Sequence, residues 1–124
     1  MSRATQKGKR GENEFCEWLC KNLNIKTDRI YNQASGHSAD VSTDHFLFEV
    51  KRREQLSLSN WWHQVVVAKK YYENPDIIPV VAFRQNRQQW EFLLPANLLY
   101  GLDRGFIRLE EKIFIQLAIS IIEK

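Results

Sequence analysis

Cysteine is scarce in this chain, and long apolar runs are missing from it. The 124 residues include two cysteines, Cys16 and Cys20, four positions apart in a segment with helical periodicity. Without a second cysteine pair or a nearby histidine, they argue against a zinc site and favour small buried side chains in a reducing compartment. No run approaches the roughly 20 apolar residues that cross a bilayer, and residues 1–10 lack the apolar centre of a signal peptide. We therefore expect a cytoplasmic protein without a membrane partner.

Internal repeats, low-complexity segments and a strong net charge are also missing. The apolar fraction of 44% and the aromatic fraction of 12% are typical of a globular protein, and 124 residues are enough for one core but not for two. We therefore predict a single domain over residues 1–124, with residues 1–8 as a flexible basic arm. A net charge of +3 favours a polyanionic partner without requiring one.

One segment combines acids and a lysine with an apolar strand. Asp40 precedes a strand-like run over residues 46–51 that includes Glu49 and Lys51. Because successive strand side chains alternate between faces, Glu49 and Lys51 point to one face, while the apolar residues between and before them point to the other. Mg²⁺ takes one or two protein carboxylates, which Asp40 and Glu49 can supply, and Lys51 can neutralise charge that develops at a phosphorus. The alternative is an exposed Glu–Lys pair on an edge strand, which contributes little.

A further acid lies on the apolar face of the first predicted helix. Helical periodicity predicts this helix over residues 9–22, and Glu12 falls in the middle of its apolar stripe. A buried carboxylate must be satisfied, either by a cation at the edge of the core or by the dipole at the helix start. Glu12 is therefore a candidate functional residue.

The remaining segments predict an α/β fold with a central mixed sheet flanked by helices. The hairpin that leads into the acidic strand turns near residues 42–44. Strands are predicted over 45–51, 77–84 and 89–94, an extended segment over 29–34, and helices over 60–73 and 96–100. Residues 112–122 are apolar almost all round, which is typical of a strand or a buried helix, and they are long enough to pack against a partner subunit.

The order of these elements and acids resembles the PD-(D/E)XK nuclease superfamily and, more narrowly, the archaeal-type Holliday-junction resolvases, including those of phages and prophages. The resemblance covers about residues 7–98. It rests on Lys7-Gly8 followed by Glu12, on the Ser35-Gly36 turn, on Phe46-Leu47-Phe48-Glu49-Val50-Lys51 and on His63-Gln64-Val65. Ala39 replaces the proline of the superfamily's name, which the motif tolerates because that proline shapes the turn and supplies no ligand.

The resemblance implies a restriction-endonuclease-like fold and a role for each matching residue. Glu12, Asp40, Glu49 and the Val50 carbonyl would bind Mg²⁺, with Mn²⁺ as a substitute. Lys51 would be the catalytic lysine, Gln64 would orient water or backbone, and Ser35 would match the family's serine, with Ser38 as a competitor. Basic side chains would hold DNA phosphates without reading sequence. These are Lys7, Lys9, Arg10, Arg29, Arg52, Arg53, Lys69 and Lys70.

The implied activity is paired hydrolysis of a four-way DNA junction in a prokaryotic or phage-infected cell. Symmetric cutting of two strands implies a two-fold homodimer, for which residues 105–124 are the candidate dimerisation element. The alternatives are another endonuclease or nickase of the same fold, in repair or restriction, and a catalytically silent DNA-binding subunit. Clustered acids argue against the silent subunit, because a binding module does not need them beside a polyanion.

Overall fold

The chain folds, in a computed structural model, as a six-stranded sheet with helices on both faces. The structure describes residues 3–29, 39–101 and 104–124, with side chains over residues 10–27, 39–99, 101 and 104–124. Ser35, Ser38 and most of the predicted extended segment 29–34 lie outside the described residues. The elements are α1 (Arg3–Leu23), β1 (Asp28–Arg29), β2 (Val41–Ser42), β3 (Phe46–Arg52), α2 (Leu58–Lys70), β4 (Ile78–Arg84), β5 (Glu91–Pro95), α3 (Asn97–Tyr100), β6 (Phe106–Glu110) and α4 (Glu111–Ile122).

The strands lie side by side in chain order, from β1 to β6. All neighbours are antiparallel except β3 and β4, which run parallel because α2 crosses between them. In their register Glu49 pairs with Val81, and Lys51 pairs with Phe83. The predicted α/β fold with a mixed sheet and flanking helices is therefore confirmed.

One face of the sheet is covered by α1 and α4 through an aromatic core. Phe15 of α1 lies 4.8 Å from the ring of Phe48, and Phe114 of α4 stacks on Phe92 at 3.8 Å. Phe114 and Ala118 are fully buried. The C-terminal apolar segment is therefore a helix, and its inner side packs into the protein's own core.

The opposite face is covered by α2. Trp61 and Val65 pack against the side chains of β4 and β5, and Ala68 packs against Leu47 of β3. These three α2 residues belong to the predicted inner stripe, which is confirmed. Because both faces of β4 are covered, five consecutive residues of this strand are buried.

Most predicted helices and strands are present with boundaries shifted by a few residues, and two differences are larger. Helix α1 begins at Arg3 and not at the predicted residue 9, so residues 3–8 are helical backbone, while the flexible arm over residues 1–8 stays a prediction. These residues are mainly good helix formers, and a glycine within a helix costs only about 1 kcal/mol. Strand β6 was not predicted, because α4 begins directly after it and no glycine or proline separates the two.

The two cysteines differ in their exposure. Both cysteines are free; Cys16 packs against the core, whereas Cys20 is exposed. The prediction of two buried cysteines is therefore wrong for Cys20, because four residues advance a helix by slightly more than one turn and carry it past the core face. Within the described part of the chain, no helix combines the length and apolarity needed to cross a bilayer.

The packing of α4 predicts that substitutions at two adjacent residues change the stability by very different amounts. Phe114 is fully buried and Ile113 is 42% exposed. Phe114→Ala is expected to lower the free energy of unfolding by about 3–5 kcal/mol, because it opens a cavity among aromatic rings. Ile113→Ala, the control, is expected to change it by less than about 1 kcal/mol. Urea denaturation measures both values, and equal losses would contradict the assignment of α4 to this core.

Candidate active site

Asp40 is attached to β3 at two points. Its backbone N–H donates to the Phe48 carbonyl at 3.0 Å, and its Oδ2 accepts a hydrogen bond from the Val50 backbone N–H at 2.8 Å. Both contacts follow from the antiparallel pairing of β2, which begins one residue later, with β3. The Asp40 carboxylate is therefore held beside the middle of β3, next to Glu49.

Glu49 and Lys51 lie on the same face of β3, as the strand period predicts. The Lys51 Nζ is 3.4 Å from Glu49 Oε1, and the two side chains are only 15% and 12% exposed. Strand β3 is the third of six strands, so the alternative of an exposed pair on an edge strand is wrong. Helix α2 covers Leu47 with Ala68 but otherwise lies over β4 and β5, which leaves Glu49 and Lys51 partly accessible.

The three side chains form an electrostatically strained group. Burial, followed by the charge of the Asp40 carboxylate, raises the pKa of Glu49 from 4.5 to about 8, although Lys51 acts in the opposite direction. A hydrogen bond between the two carboxyl groups favours the protonated form of Glu49 further. At neutral pH and without a cation, Glu49 therefore carries a proton.

This donor set fits a hard divalent cation. Two carboxyl groups converge with a single lysine, and the raised pKa of Glu49 indicates a deficit of positive charge. Mg²⁺ prefers oxygen ligands and usually takes only one or two carboxylates. Among the described residues, however, no group of three or more His, Cys, Asp or Glu side chains is arranged to hold a metal. Glu12 therefore does not complete a three-acid set with Asp40 and Glu49.

Glu12 nevertheless belongs to the part of α1 that packs on β3. A Cβ placed on the preceding residue, Gly11, would lie 3.3 Å from the Cβ of Arg52, so the helix approaches the strand closely at this point. Glu12 is half-buried there. It lies near the end of β3 that carries Lys51 and Arg52. Its role in metal binding stays a prediction.

The other predicted site residues are placed less closely. Val50 contributes its backbone N–H to Asp40, and the role of its carbonyl as a metal ligand stays a prediction. Gln64 is exposed on α2, and its role in orienting water or backbone stays a prediction. Ser35 lies outside the described residues.

The predicted phosphate-binding residues fall into separate regions. Arg10 and Arg53 are exposed, whereas the side chains of Lys7, Lys9 and Arg29 lie outside the part of the chain that the structure describes. Lys69 and Lys70 lie in the last turn of α2, next to Ala68, which packs against Leu47 of β3. Lys69 lines a cavity of about 490 Å³ with the first residues of β4.

Arg52 is engaged in an ion-pair cluster that sequence reasoning missed. Its Nη1 lies 3.0 Å from Glu14 Oε1, and Arg84 Nη1 lies 2.9 Å from Glu14 Oε2. Arg52 also donates to the side chain of Asn86 at 3.2 Å. The parallel register of β3 and β4, which sequence periodicity does not reveal, is what places Arg52 beside Arg84.

Asp40, held against a central strand that carries Glu49 and Lys51, matches the order of acids and lysine in the PD-(D/E)XK resemblance. Residues 3–117 match the family model described as "Phage putative PDDEXK endonuclease", and the chain belongs to this family. Among solved structures the fold is similar to Archaeoglobus fulgidus Hjc, a Holliday junction resolvase from an archaeal hyperthermophile. The two are 22% identical over 87% of each chain, with a TM-score of 0.53. No curated protein sequence matches the chain.

The raised pKa predicts that ionised Glu49 destabilises the fold. Glu49 titrates near pH 8 in the folded protein and near pH 4.5 when unfolded. Its contribution to stability is therefore fully present below pH 4.5 and is lost as the pH rises towards 8. Relative to Glu49→Gln, the wild-type free energy of unfolding is expected to fall by about 3 kcal/mol between pH 4.5 and pH 7. Urea denaturation of both proteins across this range, without metal, measures the difference.

Asp40→Asn provides the matched control for this titration. Its charge is the second largest cause of the raised pKa, so removing it is expected to narrow the pH-dependent difference. Parallel stability curves for the wild type and Glu49→Gln would show that Glu49 is ionised at neutral pH and would contradict the raised pKa.

Proposed function

We propose that this protein is a metal-dependent endodeoxyribonuclease that resolves four-way DNA junctions. The observation that carries the proposal is the group of Asp40, Glu49 and Lys51 on the buried strand β3. Membership of an endonuclease family supports phosphodiester hydrolysis, and the fold likeness to a Holliday junction resolvase supports the junction as substrate. The site of action would be the cytoplasm of a prokaryotic or phage-infected cell.

The roles of the residues follow from their positions. Asp40 and Glu49 would hold Mg²⁺, with Mn²⁺ as a substitute, and the bound cation supplies Lewis acidity and a water of lowered pKa. The Val50 amide keeps Asp40 oriented, so no rotation of that carboxylate is needed during the reaction. Lys51, 3.4 Å from Glu49, supplies positive charge next to the scissile phosphate, where negative charge develops during in-line attack.

Phosphate contacts would be made first by the cations nearest the end of β3. Arg53 directly follows this strand and is exposed, and Arg10 is exposed on the part of α1 that packs there. Further phosphate contacts would come from Lys69 and Lys70 in the last turn of α2. Such contacts position DNA without reading its sequence.

Symmetric cutting of a junction requires two sites related by a two-fold axis, so the proposal includes a homodimer. The outer side of α4 supports residues 105–124 as part of its interface. Ile113 and Ile119 are 42% and 40% exposed there, whereas the inner side of the helix is buried in the core. A second candidate is a general endonuclease or nickase, which the family match favours as much as resolution.

A cleavage assay tests the proposed function. The purified protein is incubated with a four-way junction and with a linear duplex of matched sequence, in Mg²⁺ or EDTA. Paired symmetric nicks on the junction alone, dependent on Mg²⁺, are expected. Equal cutting of the duplex would support the general endonuclease, and DNA binding without metal-dependent cleavage would overturn the enzymatic proposal.

Variants connect this activity to the site. Asp40→Asn and Lys51→Ala are each expected to lower the cleavage rate at least about 100-fold, because each removes a charge that acts at the reacting phosphate. Junction binding is expected to persist in both variants. Lys26→Ala removes an exposed cation in the loop after α1 and serves as the control, with an unchanged rate expected. Wild-type rates in Asp40→Asn or Lys51→Ala would place the chemistry elsewhere.

A further inference from the structure

One carboxylate joins three elements at the end of the sheet that carries the candidate site. Glu14 of α1 accepts from Arg52 of β3 through Oε1, at 3.0 Å, and from Arg84 of β4 through Oε2, at 2.9 Å. The three side chains are 32%, 23% and 28% exposed. The cluster is therefore shielded enough for these charge-assisted bonds to matter more than an ordinary surface ion pair does.

The cluster lies at the end of β3 that carries Lys51, on the face of the strand opposite to Glu49 and Lys51. Arg52 follows Lys51 in β3, and the parallel register sets it opposite Arg84. On the helix side, Gly11 approaches the Cβ of Arg52 so closely that a Cβ at this glycine would lie only 3.3 Å away. This close approach of α1 to β3 and the Glu14 ion pairs therefore fall within one helical turn of each other.

Arg52 depends on Glu14 for its position. Its Nε is buried and has no hydrogen-bond partner among the described residues. Its guanidinium also lies near a second one, that of Arg84, so the two repel each other unless an anion lies between them. Asn86 is a neutral acceptor at 3.2 Å and does not balance this charge. Loss of the Glu14 carboxylate would therefore release the end of β3 as well as the helix.

We propose that Glu14 is a positioning residue for DNA cleavage, which holds α1 against the end of β3 and thereby keeps Glu49 and Lys51 of that strand in place. This inference rests on the proposed function. Glu14 itself touches no reacting atom and acts through Arg52 and Arg84. Its role differs from that of Asp40 and Glu49, because Glu14 is not proposed as a metal ligand.

If Glu14 had no positioning role, electrostatics alone would predict that its neutralisation tightens DNA binding and leaves the cleavage rate unchanged. A carboxylate next to bound DNA repels phosphates, so a residue without a positioning role would weaken binding, and its neutralisation would tighten the complex without slowing cleavage. A positioning role predicts instead that neutralisation slows cleavage even when all of the protein is bound. The single-turnover cleavage rate at saturating protein and the dissociation constant of the junction therefore distinguish a positioning role from a purely electrostatic effect.

The experiment compares Glu14→Gln with Glu91→Gln. Glu91 forms a similar ion pair with Arg108, at 2.8 and 3.0 Å, between β5 and β6, and its side chain is 30% exposed. Junction cleavage is measured under single-turnover conditions at saturating protein, and junction affinity in Ca²⁺. Glu14→Gln is expected to cut at least about 10-fold more slowly with equal or tighter binding, whereas Glu91→Gln stays within twofold of wild type in both. Equal rates in the two variants would overturn the proposal.

Hydrogen exchange supplies a readout that does not need activity. The amides of residues 11–15 and 50–52 are expected to exchange faster in Glu14→Gln than in wild type, with no such change in Glu91→Gln. If the wild-type protein cuts no DNA, the proposed function fails, and the exchange result still decides whether Glu14 holds these elements together. Unchanged protection at both segments would overturn the positioning role.

Glu14→Asp covers the case in which the glutamine variant does not fold. It keeps the charge but shortens the side chain by one methylene, so one carboxylate no longer reaches both arginines in the same geometry. An intermediate loss of cleavage rate at saturating DNA is expected. A wild-type rate in this variant would contradict the need for the double ion pair.

Discussion

The hydrogen bond from the Val50 backbone N–H to Asp40 Oδ2 is the contact on which the site depends. At 2.8 Å it takes a side chain that precedes a two-residue strand and holds it beside the central strand of the sheet. Because Glu49 lies next to Val50, this bond forces two carboxyl groups together in a partly buried place, where one of them retains a proton. An arrangement of this kind destabilises the folded chain unless a cation or a proton is present, which is a common property of functional sites.

The rest of the fold maintains that unfavourable arrangement. Helix α2 lets β4 pair in parallel with β3, and β2 pairs with the other edge of β3. Glu49 and Lys51 therefore lie on an interior strand and are largely buried. The aromatic core around Phe15 and Phe114 anchors α1 and α4 to the other face. Glu14 then ties α1 to the ends of β3 and β4. Packing contacts that take no part in the reaction thus set the distances among the charged groups. The Glu14 ion pairs give the same role to a residue outside the group of Asp40, Glu49 and Lys51.

Much of the fold was predictable because its signals are local. The strict alternation of residues 46–51 placed Glu49 and Lys51 on one face, and the apolar stripe of α2 identified Trp61, Val65 and Ala68 as core. What was missed depends on contacts between distant segments. Strand β6 is recognised only through its pairing with β5, and the Glu14 cluster exists only because Arg52 and Arg84 meet across a parallel register. The exposed position of Cys20 likewise reflects how the whole helix turns against the sheet, which periodicity gives only approximately.

The central claim is that Asp40 and the protonated Glu49 form the site that receives a divalent cation. The most direct measurement is calorimetric titration of Mn²⁺ into the protein at pH 7, in buffers of different ionisation enthalpy, which counts the protons released on binding. Because Glu49 has a pKa of about 8 in the free protein and must lose its proton to act as a ligand, about one proton per bound metal is expected, and none in Glu49→Gln. Metal binding without proton release, or equal release from Glu49→Gln, would contradict this claim.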